Sequence, residues 1–372
     1  MGFPSFHTWL PAPPGPAIQA KGAWSDPVEL SRSPQGGYRP QLAVGPGDAL
    51  HVLFYDRSEG GDIIRHRMGP DWSEPVQLGF DDQRNWGPDL VARDDGQVVV
   101  VFDHANARFV SRGWLTEWDG SWSKPEPLTP DDPEGEIGSG HVANGASEDL
   151  AYVWIGKKMS PDFRFVAYGK WRIDGVWSEP EAFSDGKQDA WHTNVERRPD
   201  GSVLAGWDVG VGGGETHLTL VDGRAGRWGE PVVVGIGERP HFAFGEQDHV
   251  AWFHKKEGRP IAVYTMSGSH PDYGEPQEPS RGYGGYHFDP DIAINAEGVR
   301  CLVWGWDAGQ QAELVYSLDR GQGWEAPKKV ASLSWGEPGL PSLDVDSTGA
   351  FHVVWNQGVR GDSKVYYAKL VP

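Results

Sequence analysis

Four histidines, His141, His192, His241 and His287, recur along the chain at intervals of about 50 residues. Imidazole has an unperturbed pKa of about 6.5, so it can accept or donate a proton near neutral pH. We expect His192 and His141 to serve as base and acid, with His287 as a third catalytic candidate. This set of residues indicates proton-transfer chemistry at a shared site.

Arginine, polar and aromatic side chains are expected to bind the substrate of that reaction. Arg39 and Arg239 can each hold a carboxylate through two parallel hydrogen bonds. Trp86, Trp191 and Trp306 can stack on the rings of a bound sugar. The other predicted binding residues are Asn85, Asp103, His104, Lys157, Asn194, Asp208, His241, His254 and Asp307.

A divalent metal is another use for the same imidazoles. His192, His241 and His287, with a carboxylate nearby, are candidate ligands for Mn²⁺, Zn²⁺ or Ca²⁺. These histidines are about 50 residues apart, so spacing along the sequence does not test whether they meet. No particular cofactor is therefore predicted.

A repeated motif that begins with an aromatic residue predicts the elements that position these residues. Its spacings are 48, 50, 55, 51, 45 and 51 residues, which is typical of a β-propeller. The copies are Trp24-Ser-Asp-Pro, Trp72-Ser-Glu-Pro, Trp122-Ser-Lys-Pro, Trp177-Ser-Glu-Pro, Trp228-Gly-Glu-Pro, Tyr273-Gly-Glu-Pro and Trp324-Glu-Ala-Pro. A large aromatic at one repeat position is expected to pack between neighbouring blades rather than to bind ligand.

Strand patterns within each repeat predict an all-β, seven-bladed β-propeller made of four-stranded antiparallel blades. Residues 22–372 are assigned to this single domain, and residues 1–21 to an N-terminal extension. The first inner strands begin near Arg39, Gly87, Gly140, Thr193, Pro240, Asp289 and Pro341. Segment 24–30 precedes all of them, and we expect it to supply the outer strand of the last blade and close the ring.

The antiparallel pattern also predicts which residues share a face. The start of each first strand and the end of each second strand lie at the same end of the blade, and so at one mouth of the central tunnel. His141, His192, His241 and His287 are accordingly expected at one equivalent inner position in four consecutive blades. Asp-Gly-type turns occupy the opposite mouth and need no functional explanation.

Bulk composition excludes several classes of partner. The net charge is −20, from 33 basic and 53 acidic residues, so no nucleic acid or anionic membrane is expected as a partner. The single Cys301 excludes an intramolecular disulfide. No signal peptide is recognisable, which fits a cytoplasmic protein, or a secreted one if a signal has been removed. We expect a monomer or a weak homo-oligomer.

One segment resembles a known family. Ser317-Leu-Asp-Arg-Gly-Gln-Gly-Trp324 matches the Asp-box, Ser-x-Asp-x-Gly-x-x-Trp, of the sialidase and BNR-repeat proteins. Asp119-Gly-Ser-Trp122 and Asp174-Gly-Val-Trp177 are similar to shortened copies. The resemblance implies a propeller in which the box is a structural hairpin between third and fourth strands. The predicted architecture is also similar to that of seven-bladed polysaccharide lyases.

Several functions remain open at this stage. The first is β-elimination at a uronate in an oligo- or polysaccharide, with histidine as base and acid and arginine on the carboxylate. The second is glycoside hydrolysis, for which Asp56, Asp103, Asp208 and Asp307 offer carboxylates. Tyr38-Arg39-Pro40 resembles the sialidase Phe/Tyr-Arg-Ile-Pro motif but lacks the Ile. A non-catalytic carbohydrate-binding propeller and a protein-interaction propeller are the further alternatives.

Overall fold

The computed structural model describes residues 22–31, 36–58, 61–80, 84–105, 110–129, 137–145, 148–158, 164–212, 215–255, 261–309, 311–331, 336–359 and 362–372. The predicted N-terminal extension, residues 1–21, lies outside them. The described chain forms seven antiparallel sheets. No helix within these residues is long and apolar enough to cross a membrane.

The strands follow one another blade by blade after a short first strand, β1 (Val28–Glu29). Blades one to three contain β2 (Gly37–Gly45), β3 (Ala49–Ser58), β4 (Gly61–Gly69), β5 (Val76–Leu78); β6 (Asn85–Ala92), β7 (Val98–Ala105), β8 (Ser111–Trp118), β9 (Glu126–Pro127); and β10 (Ile137–Asn144), β11 (Leu150–Lys158), β12 (Arg164–Ile173), β13 (Val176–Trp177), β14 (Glu181–Ala182). A 3₁₀ turn, Pro46–Asp48, joins β2 to β3.

The remaining four blades have the same layout. They contain β15 (Ala190–Arg197), β16 (Val203–Gly212), β17 (Glu215–Arg224), β18 (Arg227–Trp228), β19 (Val232–Ile236); β20 (Glu238–Phe244), β21 (Asp248–Lys255), β22 (Ile261–Ser269), β23 (Asp272–Tyr273); β24 (Tyr286–Ile294), β25 (Arg300–Asp307), β26 (Ala312–Asp319), β27 (Lys328–Lys329); and β28 (Glu337–Val345), β29 (Phe351–Val359), β30 (Asp362–Leu370).

Seven blades, six of them with their strands in sequence order, confirm the predicted all-β propeller. Blades three and four divide the fourth strand in two: β13 and β14 both pair with β12, and β18 and β19 both pair with β17. In the last blade β1 pairs with β30, and the N–H of Leu30 donates to the carbonyl of Val365 at 2.8 Å. The first strand of the described residues is thus the outer strand of the last blade.

Apolar residues from adjacent blades form seven buried clusters between the sheets. Each cluster has one of the seven repeated aromatic residues packed against it: Trp24, Trp72, Trp122, Trp177, Trp228, Tyr273 and Trp324. These rings are half-buried rather than fully buried. The fully buried tryptophans include Trp207, Trp252, Trp304 and Trp355 on the second strands. The repeated aromatic residues therefore pack at the rim of the blades.

The segment that resembles an Asp-box forms the turn between β26 and β27. Oδ1 of Asp319 accepts the backbone N–H groups of Gly321 at 2.7 Å and Gly323 at 3.1 Å. The hydroxyl of Ser317 donates to the carbonyl of Glu325 at 2.7 Å. These polar side chains fold the turn itself, so their role is structural.

Candidate functional site

A β-bulge near the start of each first strand decides which side chains face the tunnel. In β2, for example, Tyr38 pairs with Tyr55 and Gln41 with Leu53, so β2 carries one residue more than its partner. All seven first strands have this register shift. The residue at the bulge has a left-handed backbone at Arg39, Gly87, His192, Arg239, Asp289 and Leu340.

Two residues after the bulge, each first strand contributes one side chain to a ring around the tunnel. The ring residues are Gln41, Asp89, His141, Asn194, His241, Asp291 and Ser342. Several of them hold adjacent blades together. Asp89, Asp291 and Ser342 each accept the backbone N–H of a residue in the next blade, at 2.9, 2.7 and 3.0 Å. The amide of Asn194 donates to the carbonyl of Pro240 at 3.1 Å.

Bulge and ring residues together line a cavity of about 120 Å³, which we call the mouth cavity. Its wall is formed by Arg39, Gln41, Gly87, Pro88, His141, His192, Thr193, Asn194, Arg239, Pro240, His241 and Leu340. Six of these were predicted as site residues from the sequence: Arg39, His141, His192, Asn194, Arg239 and His241. The structure therefore brings together residues that lie about 200 positions apart in the chain.

His192 has the most defined geometry in the mouth cavity. Its Nδ1 lies 2.9 Å from Oδ1 of Asp208, a carboxylate with 2% side-chain exposure. The same oxygen accepts the backbone N–H of Arg239 at 3.1 Å. A carboxylate on one ring nitrogen fixes the orientation of the imidazole and stabilises its protonated form. Because Nδ1 donates to Asp208, Nε2 carries the lone pair and is the basic atom.

The other two histidines of the wall are equivalent ring residues, and each lies beside a ring carboxylate. Nδ1 of His241 is 3.1 Å from Oδ1 of Asp291. Nδ1 of His141 is 3.4 Å from Oδ2 of Asp89. Both imidazoles are half-buried in the wall. The mouth cavity thus contains three imidazoles, each close to a carboxylate that belongs to the blade scaffold.

The two arginines of the wall differ in their partners. Nη1 of Arg239 lies 2.5 Å from Oδ1 of Asp289, so its charge is compensated by a neighbouring carboxylate. Arg39 is exposed, and within the described residues its guanidinium makes no hydrogen bond or ion pair. Its backbone N–H donates to the side chain of Asn356 at 3.4 Å. The positive charge of Arg39 is therefore less compensated by neighbouring carboxylates than that of Arg239.

Asp103 lies directly behind the cavity wall and has 0% exposure. A Cβ placed on Gly87, a wall residue, would be 3.1 Å from Oδ2 of Asp103. Neither carboxyl oxygen has a hydrogen-bond partner in the described part of the chain. Burial raises the pKa of Asp103 well above its ordinary value, and the nearby charge of Arg39 acts in the opposite direction.

His287 is placed differently from the prediction. It has 3% exposure; its Nε2 donates to the carbonyl of Gly284, and its Nδ1 accepts from Nε1 of Trp304, both at 2.8 Å. Burial lowers its pKa to about 4. Both ring nitrogens are used in packing, so His287 is not positioned for proton transfer to a ligand. Trp306 is also buried, with its Nε1 bonded to the carbonyl of Gly284, and does not offer a stacking face.

The expectation that four histidines occupy one equivalent position is wrong. His141 and His241 are equivalent ring residues, whereas His192 is a bulge residue and His287 lies two residues before the bulge of its own strand. The predicted metal set of His192, His241 and His287 is not assembled. Within the described residues, no group of three or more His, Cys, Asp or Glu side chains gathers closely enough to hold a metal ion.

The other predicted residues lie outside the cavity wall. Asn85 is buried and uses its side chain to bond the backbone of Phe80. Asp307 accepts the N–H of Gly309 at 2.6 Å in a turn. Trp191 remains 39% exposed beside Phe165, with ring centroids 4.5 Å apart. Half-buried positions outside the wall are occupied by Trp86, His104, Lys157 and His254.

Sequence reasoning did not name Gln41, Gly87, Pro88, Thr193, Pro240 or Leu340 as site residues, and these complete the cavity wall. A usable signal is present in the chain. Proline follows the bulge residue in five blades, at Arg39-Pro, Gly87-Pro, Arg239-Pro, Asp289-Pro and Leu340-Pro. This repeated dipeptide marks the bulge, and therefore marks the residues that face the cavity.

Below the ring, the tunnel widens into a second cavity of about 500 Å³. The next inward-facing position is Ala or Val in five blades and an acid in two, Glu196 and Asp344. Burial raises the pKa of Asp344 to about 6. Glu196 is exposed to the lumen of the tunnel, but the surrounding blades desolvate it, and together with the charges of Asp89, Asp291 and Asp344 this raises the pKa of Glu196 well above its usual range. Both acids line the second cavity.

No family model matches the sequence, and a comparison with curated proteins finds no match. Solved structures do share the fold. An ulvan lyase of polysaccharide lyase family PL25, solved with a bound saccharide containing GlcA and Rha, is 12% identical with a TM-score of 0.61, over 91% of this chain and 94% of the lyase.

Two hydrolases are similar to a comparable degree. An α-L-arabinanase from Penicillium chrysogenum, solved with arabinobiose, is 10% identical with a TM-score of 0.58, over 94% of this chain and 98% of the arabinanase. A sialidase from Trypanosoma rangeli is 10% identical with a TM-score of 0.54, over 95% of this chain and 60% of the sialidase. Identities this low establish a shared propeller architecture with sialidases and a polysaccharide lyase, and nothing finer.

Proposed function

We propose that this protein is a carbohydrate-active enzyme that cleaves a glycosidic bond in a uronate-containing glycan by β-elimination in the mouth cavity. The observation that carries the proposal is the pair formed by His192 and Asp208 in a cavity that also contains His141, His241 and the uncompensated guanidinium of Arg39. A positioned base, a second proton-transfer group and a cation for the carboxylate are the three requirements of this reaction.

The proposed roles follow from the hydrogen bonds. Nε2 of His192 removes the proton from the carbon next to the substrate carboxylate, because Nδ1 is occupied by Asp208. The electron pair of that carbon–hydrogen bond forms a carbon–carbon double bond as the neighbouring carbon–oxygen bond breaks. His141 donates a proton to the departing oxygen. His241, at the equivalent ring position, is the alternative donor.

Arg39 is proposed to hold the substrate carboxylate during the reaction. Neutralising that group makes the neighbouring proton more acidic, since charge developing on the carbon spreads onto the carboxylate. Arg239 is less suited to the same role because Asp289 already binds it at 2.5 Å. Trp191, exposed outside the cavity wall, is proposed to stack on a sugar ring beyond the scissile bond.

The structural comparisons support a carbohydrate-processing function at a coarser level. The similar structures act on polysaccharides or glycosides, and they include a lyase solved with a saccharide that contains the uronate GlcA. A glycoside hydrolase is the second candidate, because Asp289 is a partly exposed carboxylate at the bulge position beside the cavity. In a hydrolase, Asp289 and a second carboxylate would act as the acid and base pair.

A panel of uronate-containing polysaccharides, with neutral arabinan as the uncharged comparison, tests the proposal. Elimination produces an unsaturated uronate, which is followed by ultraviolet absorbance, and any cleavage produces new reducing ends. We expect both signals to rise together on a uronate glycan. New reducing ends without the absorbance would exclude elimination and support hydrolysis. Binding without either signal would exclude cleavage of these glycans and support a non-catalytic carbohydrate-binding propeller.

A further inference from the structure

We propose that Asp103 sets the charge preference of the mouth cavity: kept as a neutral carboxylic acid, it leaves Arg39 uncompensated and available to an anionic group. Asp103 is thereby a positioning residue, acting through Arg39. The inference rests on the proposed function for its ligand class, a sugar that carries a carboxylate. Its starting point is a difference between equivalent residues in three blades.

Asp103, Asp208 and Asn356 occupy the same register position on the second strands. They pair with Trp86, Trp191 and Gly339, the residues just before the bulge. Asp208 and Asn356 use their side-chain oxygens to accept the backbone N–H of the bulge residue in the next blade, at 3.1 and 3.4 Å. In these two blades the position serves as a hydrogen-bonded connection to the next blade, whereas four other blades have Tyr55, Ile155, Phe253 and Gly305 there.

Asp103 lacks that connection. Both of its oxygens are buried and have no hydrogen-bond partner among the described residues. An ionised carboxylate without donors in a buried site costs several kcal/mol, whereas a neutral acid costs much less. Burial accordingly raises the pKa of Asp103 well above its ordinary value even though Arg39 opposes the shift. The neutral acid is the form that the surroundings favour.

Two groups of the described residues interact electrostatically with Asp103. Arg39 on β2 acts on it electrostatically. Tyr152 on β11 responds to the charges of Asp103 and of Asp89 on β6, although burial is the larger cause of its own raised pKa. Arg39 is thus the one cation among these described residues that acts on Asp103 and also lines the cavity.

The consequence is a contrast between the two arginines of the wall. Arg239 lies against an acid that holds it as an ion pair, Asp289. Arg39 lies near an acid that stays neutral, so the positive charge of Arg39 is directed to a ligand. If Asp103 ionised, it would compete with an anionic ligand for Arg39. Binding of a carboxylate should therefore weaken as pH rises through the raised pKa of Asp103.

The experiment compares glucuronate with glucose as probes, by calorimetry from about pH 5 to about pH 9. For the wild type we expect the affinity for glucuronate to fall at high pH, with a contribution from the one proton of Asp103 of at most about tenfold per pH unit. Asp103→Asn, which cannot ionise, should show a smaller fall than the wild type, since the three imidazoles of the cavity wall are the same in both proteins. Glucose affinity should not change with pH in either protein. Asp174→Asn removes an exposed turn carboxylate and should behave as the wild type.

Three results would overturn the inference. Tighter glucuronate binding by Asp103→Asn than by the wild type at neutral pH would show that Asp103 is ionised there. Identical pH profiles for both proteins would show that it has no influence on Arg39. A carbon NMR titration of the Asp103 carboxyl adds a test without ligand, since titration near the ordinary value of about 3.9 would also exclude the neutral acid. If the protein preferred glucuronate to glucose as expected but cleaved no glycan, the proposed function would be refuted and the inference about Asp103 would stand.

Discussion

Nδ1 of His192 lies 2.9 Å from Oδ1 of Asp208, and that same oxygen accepts the backbone N–H of Arg239 at 3.1 Å. One carboxylate therefore orients the candidate base and connects the fourth blade to the fifth. The position of the imidazole in the cavity depends on the packing of two blades. This arrangement gives the candidate base a rigid support.

We expect Asp208→Asn to reduce the rate of glycan cleavage by about 10²–10⁴-fold, because the amide cannot stabilise the protonated imidazole. His192→Gln should cause a loss of similar size. The measurement is kcat on the best uronate substrate, with circular dichroism to verify folding. The matched control is Glu215→Gln, which alters a histidine–carboxylate contact of 3.0 Å with His217 outside the mouth cavity. Full activity in His192→Gln would remove the assigned base.

The two arginines of the wall should respond differently to substitution. Arg39→Gln removes the uncompensated cation and should raise KM for a uronate substrate by about tenfold or more, since a charged hydrogen bond contributes about 1.5–3 kcal/mol. Arg239→Gln removes one partner of an ion pair and leaves Asp289 without its cation, so its main effect should be a lower free energy of unfolding. Steady-state kinetics and urea unfolding of both variants check this. Equal KM effects would contradict the assignment.

The blade repeat could be predicted from the sequence because every copy places an aromatic residue against an inter-blade cluster, and packing of this kind leaves a fixed spacing. The bulge was not predicted, although Pro40 and Pro240 mark it. A one-residue bulge changes which side chains face the tunnel. That is why His192 and His241 were assigned one equivalent position and are in fact two residues apart in register.

Sequence patterns did not predict the individual roles of buried groups. Asp103 and Asp208 look identical in the sequence, as acids that follow an apolar second strand. Their difference arises from neighbours in other blades: the imidazole of His192 and the N–H of Arg239 surround Asp208, and no donor among the described residues reaches Asp103. Such contacts between distant segments appear only when the chain is folded.

Connections between blades should be measurable in stability. Asp291 accepts the N–H of Leu343 in the next blade and of Ile292 in its own strand, at 2.7 and 2.8 Å. Asp291→Ala leaves both donors unpaired, so we expect a loss of about 2–4 kcal/mol in the free energy of unfolding. The control is Asp95→Ala, which removes a similar hydrogen bond of 2.9 Å to the N–H of Gln97 in an exposed turn. A loss no larger than that of the control would show that the ring carboxylate does not hold the blades together.

A pair of buried histidines should make the fold sensitive to mild acid. Nδ1 of His51 and Nε2 of His66 lie 3.2 Å apart, so one nitrogen donates and the other accepts, and both rings are neutral. Burial lowers the pKa of His51 to about 4, and burial together with the charge of His51 lowers the pKa of His66 to about 3. The unfolded chain binds protons on these rings below about pH 6.5, whereas the folded chain does not.

The free energy of unfolding should therefore fall as pH drops from about 6.5 towards about 4, by at most about 1.4 kcal/mol per pH unit for each of the two rings. A double variant, His51→Gln with His66→Gln, should be less stable at neutral pH but lose less stability on acidification. Urea unfolding at several pH values gives the slope of the free energy of unfolding against pH for both proteins. The difference between the two slopes removes the contribution of the carboxylates that the proteins share. His217→Gln, a half-buried histidine of the blade surface, is the control and should keep the wild-type slope. If the double variant kept that slope too, the pair would be protonated in the folded protein or already desolvated in the unfolded one, and the sensitivity to acid would have to come from other groups.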